Sequence, residues 1–184
     1  MVNIIPHLQD NLTKLGINLV IAIGGDGSIR INHKVCQTLN LPLIGVPKTI
    51  DNDVSSTDYA IGFMTAVQTA TEAIEKIHTT AASHNRVFVV ELMGRDVGFL
   101  TLYAGLAAGA HIILLPEFPY DPPTLLQKTQ RVYQENGYAI IAIAESTRDI
   151  HGRSMMSMDT RGYKRYEGIG AYIANWIHQE TKLD

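Results

Sequence analysis

The sequence predicts an α/β protein, with a mainly parallel sheet between helices in a three-layer α/β/α arrangement. Short apolar runs rich in β-branched residues alternate along the chain with stretches of helical period. The run at Tyr138–Ala144 shows no polar alternation, as expected of a strand covered on both faces. Polar loops carrying Gly, Asp, Asn or Glu follow most of the runs directly.

Asn3 to Leu15 reads as a helix, stopped by Gly16 at the residue after the cap. Leu19 to Ile23 reads as a strand, Ser28 to Leu39 as a helix, and Leu43 to Val46 as a short strand ended by Pro47. After the loop KTIDNDVSSTD comes a long helix whose apolar face is Phe63, Val67, Ala70, Ile74 and Ile77. Val87–Leu92 is the next strand, Val97–Ala108 a helix and Ile112–Leu115 a strand. Asp121-Pro122 has the form of an N-cap followed by proline at the first helical position, and that helix ends near Gly137. Tyr138–Ala144 is the last strand, and a loop is expected from about Ser146 to Gly162. The final helix is expected to carry Tyr166, Ile169, Ile173 and Ile177 on one face.

The 184 residues predict one domain, with two small lobes as the alternative, and a sizeable core, since 46% are hydrophobic. A net charge of −3 with no basic stripe argues against nucleic acid or an anionic membrane as the main partner. Cys36, the lone cysteine, excludes an internal disulfide and fits a reducing compartment. It falls in a helical stretch and reads as core. The start MVNIIPHLQD lacks a basic region followed by an apolar signal core, and no apolar run reaches membrane-spanning length. The expected compartment is the cytoplasm.

Right-handed crossovers put every strand's C-terminal end on one edge of a parallel sheet, where open α/β sheets bind ligands. Four polar segments follow strands: Gly24-Gly25-Asp26-Gly27-Ser28, Lys48-Thr49-Ile50-Asp51-Asn52-Asp53, Met93-Gly94-Arg95-Asp96 and Glu145. Glycines let a backbone approach phosphate, and a following helix N-terminus offers unpaired N–H groups. Asp26 would repel a phosphate unless a divalent cation, expected to be Mg²⁺, lay between them. GGDG taken alone is equally what a tight strand-to-helix turn would carry. Asp51 and Asp53, two apart, could take a hydroxyl proton during phosphoryl transfer, or could simply cap and solvate a turn. Lys48 could neutralise phosphate charge or lie solvated on the surface. Arg95, placed at a helix start, could grip phosphate by its planar fork or pair with Asp96 or Glu91. Glu145 could hold sugar hydroxyls or end its strand in solvent. The seven histidines show no metal-ligand spacing, and His78, His84 and His178 read as surface residues.

Together and in this order, "GGDGS", "PKTIDND", "SHNRVFVVELMGRDVG" and "AIIAIAES" resemble the 6-phosphofructokinase family from about Leu15 onward. The resemblance implies phosphoryl transfer from a Mg²⁺-bound donor to the 1-hydroxyl of fructose 6-phosphate, giving fructose 1,6-bisphosphate in glycolysis. It implies Asp51 as the general base, and Gly25, Asp26, Gly27, Ser28 and Lys48 around the donor, with Asp26 organising Mg²⁺. It implies Thr49, Ile50, Asp53, Met93, Gly94, Arg95 and Glu145 around the sugar. It also implies that Arg86 reaches a neighbouring subunit's sugar phosphate, so a homo-oligomer is expected.

In the family, pyrophosphate users tend to carry aspartate where Gly27 stands and lysine where Lys48 stands, whereas ATP users tend to carry glycine at both. The mixed pair here occurs with either donor, and Ile29-Arg30-Ile31-Asn32 lacks a glycine often found in ATP users. ATP is the expected donor and pyrophosphate the alternative. The family's opening β-α unit and its segment beyond the last helix are expected to be absent, leaving a fold truncated at both ends. That would leave an apolar face or sheet edge open and little activity in the isolated chain. A non-catalytic sugar-phosphate-binding module is a further alternative. NAD kinases and lipid kinases share the glycine-aspartate turn, but TIDND and MGR argue against them.

Overall fold

The structure, a computed structural model, describes residues 5–160, 162, 164–166 and 168–184. It divides into two compact units, Met1–Phe63 and Met64–Asp184.

The first unit opens with helix α1 (Ile5–Lys14). Gly16 ends it at φ 67°. The Gly16 N–H donates to Thr13 O and the Ile17 N–H to Leu12 O, so two orphan carbonyls are satisfied as the sequence predicts. Strands β1 (Val20–Gly24) and β2 (Leu43–Pro47) pair parallel, Val20 opposite Leu43 through Gly24 opposite Pro47. Helix α2 (Asp26–Thr38) is the crossover between them. It seats closely because β2 presents a glycine: a Cβ on Gly45 would lie 3.2 Å from Ile29 Cγ2. Cys36 is buried, as expected. On the strands' other side Ile21, Ile23 and Ile44 are exposed.

The second unit contains α3 (Phe63–His84, entered from the end of the first unit), β3 (Val87–Leu92), α4 (Phe99–Ala107), β4 (Ile112–Leu114), α5 (Pro122–Asn136) and β5 (Ala139–Ala144). A hairpin follows, β6 (Met156–Met158) and β7 (Lys164–Tyr166), and then α6 (Ile169–Thr181). The three long-range strands are parallel in the order β3-β5-β4, so β5 is central. All six of its residues are wholly buried. Ile141 and Ile143 pack with Ile169, Ile173 and Ile177 of α6 and Leu125 of α5. Ala142 lies against α4, where a Cβ on Gly105 would come within 3.3 Å of the Ala142 Cβ. Covered faces on both sides explain why this strand shows no alternation. Each buried isoleucine contributes roughly 1.5–3 kcal/mol of transfer free energy. Asp121 caps α5, accepting from the Thr124 N–H at 3.1 Å, and Gly137 closes it at φ 80°.

Three sequence expectations need correction. The segment expected as a loop to Gly162 contains β6, and Tyr166 lies in β7 rather than on the final helix, which starts at Ile169 behind Gly168 at φ 69°. Three-residue exposed strands carry too little pattern to read. Arg95 is not at a helix start, because α4 begins at Phe99 and residues 93–98 form a turn. His78 is half-buried rather than a surface residue, while His84 and His178 are exposed as expected.

His78 sits in a cluster with His111 and Tyr138, whose rings are 5.2–6.0 Å apart. His78 Nε2 lies 2.8 Å from the Ala108 carbonyl, so it donates, and Nδ1 lies 3.3 Å from the Tyr138 hydroxyl. His111 Nδ1 accepts from the Ile140 N–H at 3.0 Å, which requires the neutral ring. Burial, and then the neighbouring His78, holds the His111 pKa below its ordinary 6.5. The unfolded chain therefore binds more protons below about pH 6.5, and the stability contributed by neutral His111 is complete above that value. It is lost as pH falls from there through the folded-state pKa. Denaturation followed by Trp176, the sole tryptophan, should show the wild type losing stability between pH 7.5 and 5.5. His111→Asn, which keeps an acceptor that does not titrate, should lose less over that interval. Equal losses in the two proteins would discount His111.

Candidate functional site

In the first unit the glycine loop follows β1 without a spacer. A Cβ on Gly24 would lie 2.8 Å from the Ser28 Cβ, so only glycine lets the strand turn directly into α2. Gly25 is the N-cap, and Asp26, Gly27 and Ser28 form the first helical turn, two residues earlier than the sequence suggests. The turn presents N–H groups and the positive end of the helix dipole, where a carboxylate or phosphate is favoured. A Cβ on Gly27 would meet nothing within 4 Å. Asp26 pairs with Arg30 at 2.8 Å, both side chains being well exposed. An exposed pair of this kind contributes roughly 0.3–0.5 kcal/mol, too little to hold the carboxylate from another cation.

Beyond β2, Lys48 is exposed and its amino group has no acidic partner among the described residues. The next residues form a compact turn. Thr49 Oγ1 donates to Asp51 Oδ2 at 3.2 Å and accepts from the Asp51 N–H at 3.1 Å. Asp51 is buried, 8% exposed, whereas Asp53 and Ile50 are exposed. The two carboxylates of TIDND therefore differ in setting, one fixed and one solvated. Asn52, at φ 56°, donates to Asp58 O and accepts from the Ala60 N–H at 2.8 Å, so it ties the loop to the approach of α3. The sequence reading missed this tie. Asparagine's tolerance of positive φ was the available signal.

In the second unit β3 and β5 end side by side, with the Glu145 N–H donating to Leu92 O at 2.9 Å. Glu145 Oε1 accepts from the Gly94 N–H at 3.1 Å and from the Arg95 N–H at 2.7 Å. It thus fixes the 93–98 turn, in which Gly94 has φ 153° and Arg95 has φ 52°. Asp96 accepts from Lys164 Nζ at 2.6 Å and from the Tyr166 hydroxyl, which anchors the β6–β7 hairpin. The bond to Lys164, and then that to Tyr166, holds the Asp96 carboxyl below its ordinary value. Burial, and then the bond to Asp96, pushes the Tyr166 phenol up.

Met93, Arg95, Asp96 and Glu145 line a cavity of about 680 Å³ together with Lys164 and Arg165. The hairpin cations were not foreseen, because nothing local marks them. Glu91, one of the two partners that the sequence allowed for Arg95, accepts from the Gly170 N–H at 2.9 Å. Glu117, likewise unforeseen, accepts from the N-cap Gly98 N–H of α4 at 2.8 Å. Arg86 pairs with Asp184 at 2.8 Å.

Among the described residues no three Asp, Glu, His or Cys side chains converge on one point. Asp26 at a helix N-terminus instead offers the single carboxylate that Mg²⁺ takes when phosphate oxygens and water complete its octahedron. The residues present therefore fit an ion that arrives with a phosphate ligand.

Parallel α/β units with a glycine-aspartate helix entry, a TIDND turn and an arginine-bearing turn offer the backbone N–H groups and cationic side chains that phosphate binding uses. The family model described as Phosphofructokinase matches residues 3–184, and the chain belongs to that family. It is 46% identical over 169 residues to ATP-dependent 6-phosphofructokinase 1 of Synechocystis sp., covering 91% of this chain and 47% of that protein. It is 41% identical over 180 residues to pyrophosphate–fructose 6-phosphate 1-phosphotransferase of Streptomyces coelicolor, covering 96% and 53%. The chain thus spans about half the length of the curated relatives it matches. Among solved structures it is similar to pyrophosphate-dependent phosphofructokinase of Nitrosospira multiformis, with TM-score 0.82 and 26% identity, over 98% of this chain and 46% of that one. It is also similar to phosphofructokinase of Saccharomyces cerevisiae, with TM-score 0.79 and 27% identity, over 98% and 26%.

The two loop glycines should respond oppositely to alanine. A Cβ on Gly94 would lie 2.5 Å from the Val97 carbonyl oxygen, in a backbone conformation that side chains resist. Gly94→Ala should destabilise by at least about 1–3 kcal/mol. Gly27→Ala, in a helical turn with open space, should be neutral or stabilising by up to about 1 kcal/mol. Urea titration of both variants would check this, and a well-tolerated Gly94→Ala would count against the turn as described.

Proposed function

We propose that the chain carries the phosphoryl-transfer region of a cytoplasmic 6-phosphofructokinase, moving a phosphoryl group from Mg-ATP to the 1-hydroxyl of fructose 6-phosphate. The observation that supports this most is Asp51, a carboxylate sheltered from solvent and held by Thr49 inside a TIDND loop. It would accept the hydroxyl proton as that oxygen attacks the terminal phosphorus of the donor. Gly25, Gly27 and Ser28 would line the donor with backbone N–H groups, and Lys48 would balance its charge. Asp26 would hold Mg²⁺, which would supply charge neutralisation of the donor phosphates. Thr49 and Ile50 would support the sugar beside Asp53. Met93, Gly94 and Arg95 would bind the sugar phosphate ester. Glu145 would contribute by fixing the backbone of Gly94 and Arg95. Arg86 would serve a neighbouring copy in a homo-oligomer, exchanging its exposed partner Asp184. Among the described residues no helix is long and apolar enough to cross a membrane.

Pyrophosphate is the second donor reading, favoured by Lys48 and by relatives named for that donor. The open space at Gly27 favours ATP, because a carboxylate there would crowd and repel phosphates beyond the first two. A non-catalytic sugar-phosphate-binding module is a third reading, supported by the cavity that Arg95, Lys164 and Arg165 line in the second unit.

The test is formation of fructose 1,6-bisphosphate by the purified chain at high concentration, followed by ³¹P NMR. Turnover should be faster with Mg-ATP than with Mg-pyrophosphate at equal concentration, and the reverse preference would make Lys48 the better guide. Asp51→Asn should lower the rate by roughly two orders of magnitude or more, with a much smaller change in sugar affinity. A mutant that turns over normally would remove Asp51 from the role of base. Sugar-phosphate binding without turnover from either donor would favour the binding module.

A further inference from the structure

A second cavity, of about 310 Å³, adjoins the Asp96–Lys164–Tyr166 contact. Ser146, Arg148 and Ser154 line this cavity and not the larger one, and Asp96, Lys164 and Tyr166 are shared by the two. Its wall is rich in donors and poor in acceptors. Asp96 is the one carboxylate among its described lining residues, and it is already engaged by Lys164 and Tyr166. The Arg148 guanidinium is exposed and has no acidic partner among the described residues. Ser146 Oγ is shut off from water and has no hydrogen-bond partner among the described residues. A rotation about its χ1 would offer the hydroxyl to a ligand oxygen and relieve the desolvation it now bears. An arginine fork, an ammonium group and two serine hydroxyls around a small volume match a tetrahedral oxyanion rather than a cation or an apolar group.

We propose that this cavity is a binding site for a small phosphate dianion, either the free ion or the monoester of a short polyol. Arg148 supplies a bidentate contact, and Lys164, which lines both cavities, contributes a second positive charge. Ser146 and Ser154 complete the donor set. The site is built wholly from the second unit and does not depend on which phosphoryl donor the chain uses.

Titration of the ¹⁵N-labelled full chain with inorganic phosphate, at ionic strength held constant with sodium chloride, tests the proposal. The amides of Ser146, Arg148 and Ser154 should shift saturably. Arg148→Met should weaken that response by about tenfold or more, as expected for loss of a charge-assisted contact. The Arg148 side chain is exposed, so the variant should keep the wild-type spectrum elsewhere. Arg95→Met, at the larger cavity, should leave the response at Ser146 and Ser154 in place. A parallel titration with glycerol 3-phosphate distinguishes the sources: tighter binding than phosphate marks an ester site, weaker binding a free-ion site. The proposal is overturned by the absence of saturable shifts, by an Arg148→Met protein that binds as the wild type does, or by shifts that vanish in Arg95→Met.

Discussion

Strand β5 admits no water. All six of its residues are wholly buried, so its peptide groups must find partners inside the protein, in β3 on one side, in β4 on the other and, for the Ile140 N–H, in the His111 ring. That requirement fixes the register, Val87 opposite Ala139 through Leu92 opposite Ala144. The register in turn sets the position of Glu145, the first residue beyond the strand. Its carboxylate arrives where the chain leaving β3 exposes two N–H groups, and one oxygen serves both. A slip of one residue would carry Glu145 off those donors and turn the buried isoleucines to the wrong face.

From this point outward the interactions become polar and more exposed. The 93–98 turn holds two residues at positive φ, an arrangement that persists because Glu145 satisfies its N–H groups. Asp96, projecting from the same turn, ties down a hairpin about seventy residues further along the chain. Its lowered pKa and the raised pKa of Tyr166 describe one stable state, a charged carboxylate accepting from a neutral phenol. The hairpin strands are short and largely exposed, so their order rests on such contacts rather than on core burial. Both cavities of the second unit are walled by this pairing of a rigid strand end with a tethered hairpin.

The first unit solves a similar problem with backbone shape. Gly24 lets β1 pass directly into α2, and Gly45 lets the helix sit close on the sheet. Asn52 then closes the loop after β2 by replacing two backbone partners with its amide. The loop carries Asp51 inward and Asp53 outward, so two identical side chains two residues apart reach different surroundings.

Much of the fold was legible because its signals are local. The end of α1 at Gly16, the Asp121-Pro122 helix entry, the Gly137 exit and the unalternating β5 each follow from residue type and spacing alone. The strand-end loops were legible too, since glycine and paired acids mark them without reference to distant residues. The sequence could not reveal which long-range partners complete each loop. Glu145 as the acceptor for Gly94 and Arg95, Glu117 at the start of α4, and Lys164 and Tyr166 on Asp96 join residues between 19 and 70 positions apart. His78 read as a surface residue for the same reason, because its partners lie before other strands. Local propensity and period record the conformation that each segment prefers. Which polar groups satisfy one another depends on strand order and register, and these arise only when the whole sheet is assembled.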